Sequence, residues 1–173
     1  MNITLKPIGD IDSKILDQLK EKLKQTFGCP VEIAADNFNL EKAFDSRRNQ
    51  YLASKILSQF KKSGADKDKK ILGIVDVDLY APGLNFVFGQ AEPAAGTAVI
   101  SLVQLRQEYF GMLPNEALLL ERAAKEAVHE LGHTFGLDHC PNEKCVMHFS
   151  NSLADTDWKQ SAFCSLCRPK LLK

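Results

Sequence analysis

HELGHTFGLDHC, residues 129–140, gathers three of the chain's four histidines, a glutamate and a cysteine into one short segment. His129 and His133 are four residues apart, so a helix would place both imidazoles on one face, one turn apart. At that spacing one zinc ion can bind a nitrogen of each at about 2.0–2.1 Å. Glu130 would lie beside the metal, rotated by about 100° around the helix. Its carboxylate could there take a proton from a water that the metal acidifies.

The end of the predicted helix supplies a third ligand. Gly136 can adopt the left-handed conformation that ends a helix and turns the chain. The turn can carry His139 back to the metal and leave a fourth position open, as catalytic zinc requires. His-Glu-x-x-His alone also arises by chance, but Gly136 and His139 at these offsets favour a catalytic zinc site. A metal site retained without catalysis is the alternative.

Four of the five cysteines form a second group of candidate ligands: Cys140, Cys145, Cys164 and Cys167. The first pair is separated by four residues and the last pair by two, a pattern that suits a tetrahedral Cys₄ zinc site. Two disulfides or free thiols are the alternatives. With the histidine site, this predicts two zinc ions. Because His139 and Cys140 are adjacent, we expect Cys164→Ser to weaken metal binding at the histidines.

The motif resembles the signature of the metzincin metallopeptidases, H-E-x-x-H-x-x-G-x-x-H followed by a Met-turn, and residues 129–139 match every fixed position. Met147 is the Met-turn candidate, which the resemblance places beneath the catalytic zinc. With the cysteine pairs, residues 129–173 look like the archaemetzincins. That resemblance implies a twisted sheet, a catalytic zinc and a structural zinc held by the four cysteines. More weakly, it makes residues 85–92 the substrate-side edge strand.

Periodicity in the rest of the chain predicts alternating strands and helices. Apolar or alternating runs predict five strands, at residues 2–8, 31–36, 71–80, 85–92 and 97–105. Helical spacing predicts helices at residues 11–27 and 50–62 and from Pro114 into the motif. The C-terminal tail is expected to end in a helix at 161–172. The polar residues 61–70 predict a turn.

These elements predict a metzincin-like α/β (α+β) fold. We expect a twisted mixed sheet of about five strands with an antiparallel edge strand, two backing helices and an active-site helix. A single metallopeptidase domain would then consist of a subdomain at 1–136 and a small C-terminal subdomain at 137–173. The edge strand at 85–92 could pair with an extended peptide, or it could be an ordinary sheet edge.

Composition limits the partners. The 173 residues suit one domain, and an apolar fraction of 45% supports a core. Lys+Arg and Asp+Glu are equal at 22 each, which gives no electrostatic reason for a nucleic-acid partner. No apolar run could span a bilayer, and the N-terminus lacks the order of a secretory signal. We therefore expect a cytoplasmic monomer without a membrane partner, and no inhibitory prosegment.

The predicted function is zinc-dependent hydrolysis of peptide bonds in a peptide or protein substrate. His129, His133 and His139 would hold the catalytic zinc, and Glu130 would be the general base. The alternatives are a non-catalytic zinc scaffold that binds peptides, and a hydrolase of a non-peptide amide. Glu130 favours an enzyme, because a purely structural zinc site has no role for it. The pattern does not separate an endopeptidase from an aminopeptidase.

Overall fold

The computed structural model describes residues 1–35, 38–60 and 69–172. Its strands are β1 (Asn2–Ile8), β2 (Val31–Ile33), β3 (Phe44–Asp45), β4 (Gln50–Leu52), β5 (Lys69–Val75), β6 (Leu79–Tyr80), β7 (Gly89–Glu92) and β8 (Thr97–Ser101). Its α-helices are α1 (Ser13–Phe27), α2 (Ala53–Phe60), α3 (Glu116–Thr134) and α4 (Leu153–Trp158). Short 3₁₀ turns lie at Leu40–Ala43, Pro93–Ala95, Val103–Leu105, Gln107–Phe110 and Arg168–Leu172. Within these described residues, none of the helices combines the length and apolarity needed to cross a bilayer.

The main sheet has five strands in the order β2-β1-β5-β8-β7. The first four are mutually parallel, whereas β7 pairs antiparallel with β8 and forms one edge. This confirms the predicted mixed sheet with its antiparallel edge strand. The central strands are buried on both faces, which is why they are near-continuous apolar runs in the sequence.

Helices cover both faces of this sheet. Leu72 and Ile74 of β5 face a core shared with α1 and α3. Their neighbours Ile71 and Val75 face a second core with α2, because successive side chains of a strand point to opposite faces. The two predicted backing helices therefore lie on opposite faces, and α3 lies beside α1.

The predicted single strand over 71–80 is wrong, because the chain leaves the main sheet after Val75. Leu79–Tyr80 instead pairs with β4, in a second sheet of order β3-β4-β6 that was not predicted. Asp78 explains the break, since its carboxylate accepts hydrogen bonds from Gln50 Nε2 at 2.9 Å and Gln104 Nε2 at 2.8 Å. A side chain with two polar partners cannot continue an apolar strand face.

Four other predicted elements are shorter than expected. The helix expected over 50–62 begins at Ala53, because the preceding residues pair as β4. The strand expected over 85–92 is limited to its last four residues, and the strand over 97–105 ends at Ser101. The strand expected over 31–36 ends after three residues. Within the turn predicted at 61–70, residues 61–68 lie outside the described residues.

The helix predicted over 161–172 is wrong, apart from the 3₁₀ turn at its end. The α-helix of this region is α4, which a capping box formed by Ser152 and Asp155 begins. Residues after α4 form turns instead: Cys167 N–H donates to the Cys164 carbonyl at 3.1 Å, and Val146 N–H donates to the Ala162 carbonyl at 3.0 Å. These turns bring Cys164 and Cys167 to the other two cysteines of the cluster. A regular helix over 161–172 would not gather all four thiols at one point.

Candidate active site

Helix α3 positions the first two histidines and ends where the sequence predicts. Asn115 caps its N-terminus by accepting a hydrogen bond from Leu118 N–H, so Pro114 lies just before the cap. At the C-terminus Gly136 has φ +84°, a left-handed conformation, and its N–H donates to the His133 carbonyl at 2.9 Å. The chain then turns back and places His139 beside the helix.

The three predicted histidines come together as a candidate metal site, with one ring nitrogen from each within 4.8 Å of the others. His129 Nε2 and His133 Nε2 are 3.2 Å apart. Their Nδ1 atoms lie 2.8 Å from the Val146 carbonyl and 2.7 Å from the Leu137 carbonyl. A carbonyl oxygen only accepts hydrogen bonds, so each Nδ1 carries the proton of its ring. The lone pairs of the two unprotonated Nε2 atoms therefore face each other. Two facing lone pairs call for a cation between them.

The histidine geometry fits zinc. Two nitrogens bound to a tetrahedral zinc at 2.0–2.1 Å would be about 3.3 Å apart, close to the observed separation. The carbonyl acceptors at Nδ1 fix the tautomer and orientation of each ring, as the outer partners of metal-bound histidines do. Burial lowers the pKa of His129 well below its ordinary value, and Lys159 and His133 lower it further. Burial is also the main cause of the lowered pKa of His133. Neutral imidazoles are the form that binds a metal.

Glu130 lies beside this site, deeply buried on α3. Burial raises the pKa of its carboxyl well above the ordinary value; Glu126 raises this pKa further, and Lys159 opposes the shift. Strand β7 runs directly against it, since a Cβ placed on Gly89 would lie 2.7 Å from Glu130 Cγ and 2.9 Å from its Oε1. The edge of the sheet and the candidate base therefore face the same cleft.

Met147 is fully buried against the same helix and packs on Gly132, between the two helical histidines in sequence. Its carbonyl accepts a hydrogen bond from Cys140 N–H at 2.9 Å. The segment that supports the histidines is thus joined to the residue that follows His139.

The four predicted cysteines form a second cluster, with all sulfurs within 4.8 Å of one another. Cys140 Sγ and Cys164 Sγ are 3.8 Å apart, whereas a disulfide needs about 2.05 Å. Two thiolates bound to a tetrahedral zinc at about 2.3 Å would be about 3.8 Å apart. The cysteines are free, including the remote Cys29, so the disulfide alternative does not hold in this structure.

One thiol of the cysteine cluster, that of Cys164, has a lowered pKa. Burial opposes ionisation of Cys164, but the N–H groups of Cys167 and Leu166 and the neighbouring thiols outweigh it and lower its pKa to about 7. Burial and hydrogen bonds with its neighbours raise the pKa of Cys167. Crowded sulfurs, one of which ionises near neutral pH, suit a cation at their centre.

The two clusters are joined in two places. His139 and Cys140 share a peptide bond. In addition, the carbonyl that orients His129 belongs to Val146, which lies directly after Cys145. The segment that carries the thiols therefore positions two of the three histidines.

Two charged residues of α3, for which the sequence indicated no partner, pair with residues at the end of α4. Arg122 Nε and Nη2 donate to the two carboxylate oxygens of Asp157, both at 2.6 Å. One turn further on, Glu126 Oε1 lies 2.9 Å from Lys159 Nζ and accepts from Thr156 Oγ1 at 3.2 Å. Lys159 was missed, although charged residues on the histidine-bearing face of α3 signalled that partners were needed.

A cavity of about 210 Å³ opens beside the histidines. Helix α3 lines it with Glu126, His129 and Glu130. The segment before β7 and residues 149–151, which follow Met147 and His148, complete the lining. The candidate base, a metal ligand and the edge strand therefore border one cleft, which is an arrangement suited to hydrolysis of an extended substrate.

Comparison with known proteins agrees with this geometry. Residues 4–173 match Peptidase family M54. The chain belongs to this family. It is 47% identical to the archaemetzincin of Pyrococcus furiosus, over 98% of this chain and 91% of that protein.

Solved structures agree as well. A zinc-dependent peptidase from Methanocorpusculum labreanum has a TM-score of 0.89 at 32% identity, over 98% of this chain and 99% of that one. The archaemetzincin of Methanopyrus kandleri has a TM-score of 0.86 at 40% identity, over 99% of this chain and 93% of that one. The archaemetzincin resemblance, the fold and the metallopeptidase class are thereby confirmed, and a peptidase acts on a peptide or protein. The cytoplasmic location, the monomeric state and the absence of a nucleic-acid partner stay predictions.

Proposed function

We propose that the chain hydrolyses peptide bonds with a zinc ion held by His129, His133 and His139 and with Glu130 as general base. One observation carries this proposal: both helical imidazoles commit their protonated Nδ1 atoms to carbonyls and turn their Nε2 lone pairs toward each other. Glu130 lies next to them on the cleft wall. A structural metal site would have no use for a buried carboxylate that ligates nothing.

The zinc, when bound, would polarise the substrate carbonyl and acidify the attacking water. Glu130 would take the proton of that water as its oxygen adds to the carbonyl carbon. As the C–N bond breaks, Glu130 would give this proton to the leaving amine. Glu130 thus ends the reaction in the protonation state in which it began. Strand β7, an edge strand of the main sheet, lies against Glu130 and could pair with the extended substrate through its main chain.

We further propose that Cys140, Cys145, Cys164 and Cys167 hold a second, structural zinc. The support is the sulfur spacing and the crowding of the thiols. On this proposal residues 137–173 form the small subdomain, with Gly136 as its entry and Met147 as the packing support of the histidine site. Residues 1–136 carry the sheet and α3. Elemental analysis of purified protein checks the stoichiometry, with two zinc ions per chain expected.

A cleavage screen on a diverse peptide mixture, read by mass spectrometry, tests the catalytic proposal. Glu130→Gln keeps the size of the side chain and removes the base, so we expect cleavage to fall by roughly 10²–10⁴-fold with bound zinc unchanged. Glu121→Gln is the matched control, because Glu121 lies on the same helix with 58% of its side chain exposed. Equal cleavage by wild type and Glu130→Gln would refute the role of Glu130. No cleavage by the zinc-loaded wild type would favour the peptide-binding scaffold or a non-peptide amide substrate.

A further inference from the structure

Apolar and polar side chains share the lining of the cavity beside Glu130, and the apolar ones include Phe86, Phe88 and Phe149. Leu84 and Phe149 are 46% and 41% exposed, so both offer apolar surface to a bound group. The volume of about 210 Å³ is smaller than the roughly 300–1,000 Å³ of small-molecule sites. It therefore suits one substrate side chain. The hydroxyl of Ser150 has no hydrogen-bond partner among the described residues, but it is uncharged and gives no preference for a charged group.

Two carboxylates also border this cavity, from Glu126 and Glu130. Glu130 is assigned to proton transfer in the proposed function. Glu126 would thus be the group to pair with a basic side chain of the substrate, but its charge is already compensated. Lys159 Nζ lies 2.9 Å from Glu126 Oε1, and the side chains are 0% and 3% exposed. Thr156 donates a further hydrogen bond to the same oxygen.

Stability alone does not account for this ion pair. Taking a lysine and a glutamate out of water costs desolvation energy, and a buried pair is often no more stabilising than two apolar side chains of similar volume. Lys159 reaches Glu126 from the end of α4 and is not itself among the residues that line the cavity. Its ammonium therefore neutralises a carboxylate in the cleft without occupying the cleft.

We propose that Lys159 determines the substrate class. By neutralising Glu126, it makes the cavity a site for one large uncharged side chain, aromatic or long aliphatic, next to the scissile bond. Without it, Glu126 would select a lysine or arginine side chain at the same place. This inference rests on the proposed peptidase function and adds the side-chain preference to it.

Binding of two probes tests the inference without turnover. L-phenylalanine hydroxamate and L-lysine hydroxamate share a metal-binding group and differ in the side chain, and calorimetry on the zinc-loaded protein gives both Kd values. We expect wild type to bind the phenylalanine probe roughly 10- to 100-fold more tightly. Lys159→Met should shift that ratio by about 10-fold or more toward the lysine probe, because an uncompensated carboxylate then borders the cavity.

Two further variants separate charge from damage to the fold. Glu126→Gln/Lys159→Met leaves no buried charge at the pair and should keep the wild-type preference. Lys125→Met is the matched control, because Lys125 is equally buried on α3 but pairs with Glu121 and does not border the cavity. It should leave the ratio unchanged.

The opposite charge gives an independent arm if Lys159→Met does not fold. Glu126→Gln leaves the ammonium of Lys159 unpaired, so L-glutamate hydroxamate should gain affinity relative to wild type. A wild-type preference for the lysine probe would overturn the inference. So would unchanged ratios in both folded single variants. An apolar preference with no peptide cleavage would refute the peptidase proposal alone, whereas cleavage next to basic residues would refute this inference alone.

Discussion

Gly132→Ala should destabilise the protein, although the same change stabilises an ordinary helix. Gly132 lies inside α3, where alanine is favoured over glycine by about 0.5–1 kcal/mol. A Cβ at this position, however, would come within 3.0 Å of Met147 Sδ, and it would lie 3.1 Å from Met147 Cε and 3.3 Å from Phe163 Cε1. Carbon contacts are optimal at about 3.5–4.0 Å, so the methyl group has no room.

The balance of the two effects sets the magnitude. Forcing a methyl group into a packed core costs about 1–3 kcal/mol. Met147 is fully buried and Phe163 also borders the new methyl group, so any shift of the methionine side chain has to be accommodated by packed neighbours. After the gain in helix propensity, we expect a net loss of about 1–2 kcal/mol of unfolding free energy. Displacing Met147 also moves the carbonyl that holds Cys140 N–H, so metal affinity at the histidines should fall by about 10-fold.

Urea unfolding at matched zinc saturation measures the first effect, and chelator competition measures the second. Met147→Ala provides the double-mutant cycle. In that background the clash with sulfur is gone, so Gly132→Ala should stabilise by about 0.5–1 kcal/mol. The reasoning is refuted if Gly132→Ala stabilises the chain equally with methionine or alanine at position 147.

Two other perturbations test the coupling between the two clusters and the ion pair between α3 and α4. Cys164→Ser should weaken metal binding at the histidines by about 10-fold, although it removes no histidine ligand. Cys29→Ser should leave that binding unchanged, because the Cys29 thiol belongs to neither cluster. Equal metal affinities of the two variants, measured by chelator competition, would contradict the coupling between the clusters. Asp157→Ala leaves the buried guanidinium of Arg122 without its carboxylate and should cost about 1–3 kcal/mol in urea unfolding. Glu121→Ala removes a more exposed carboxylate from Lys125, which keeps its hydrogen bond to the Asp157 carbonyl, and should cost less than about 0.5 kcal/mol. Comparable losses for the two variants would show that the two-point pairing of Arg122 with Asp157 does not set the difference.

The features that the sequence predicts correctly are local ones. His129 and His133 share a helix face because their spacing is one turn, and Gly136 ends that helix because its φ is positive. The five-stranded sheet is predictable since its buried strands are long apolar runs. The strands of the second sheet are two or three residues long, too short for any periodicity to mark them. The helix expected at 161–172 is wrong because the N–H groups of Cys167 and Arg168 donate to the Cys164 carbonyl and form a turn there.

Lys159 shows where such reasoning stops. Arg122, Glu126, His129 and His133 follow one another at spacings of four, three and four residues, which is one face of α3. These charged residues must face either a cleft or buried partners, because burying a charge without a partner costs too much free energy. The sequence therefore implies that partners exist. It does not identify Lys159 as one of them, because that contact joins α3 to the end of α4, which is distant from Glu126 in the sequence. The contact between α3 and the end of α4 thus sets the charge of the proposed substrate cavity.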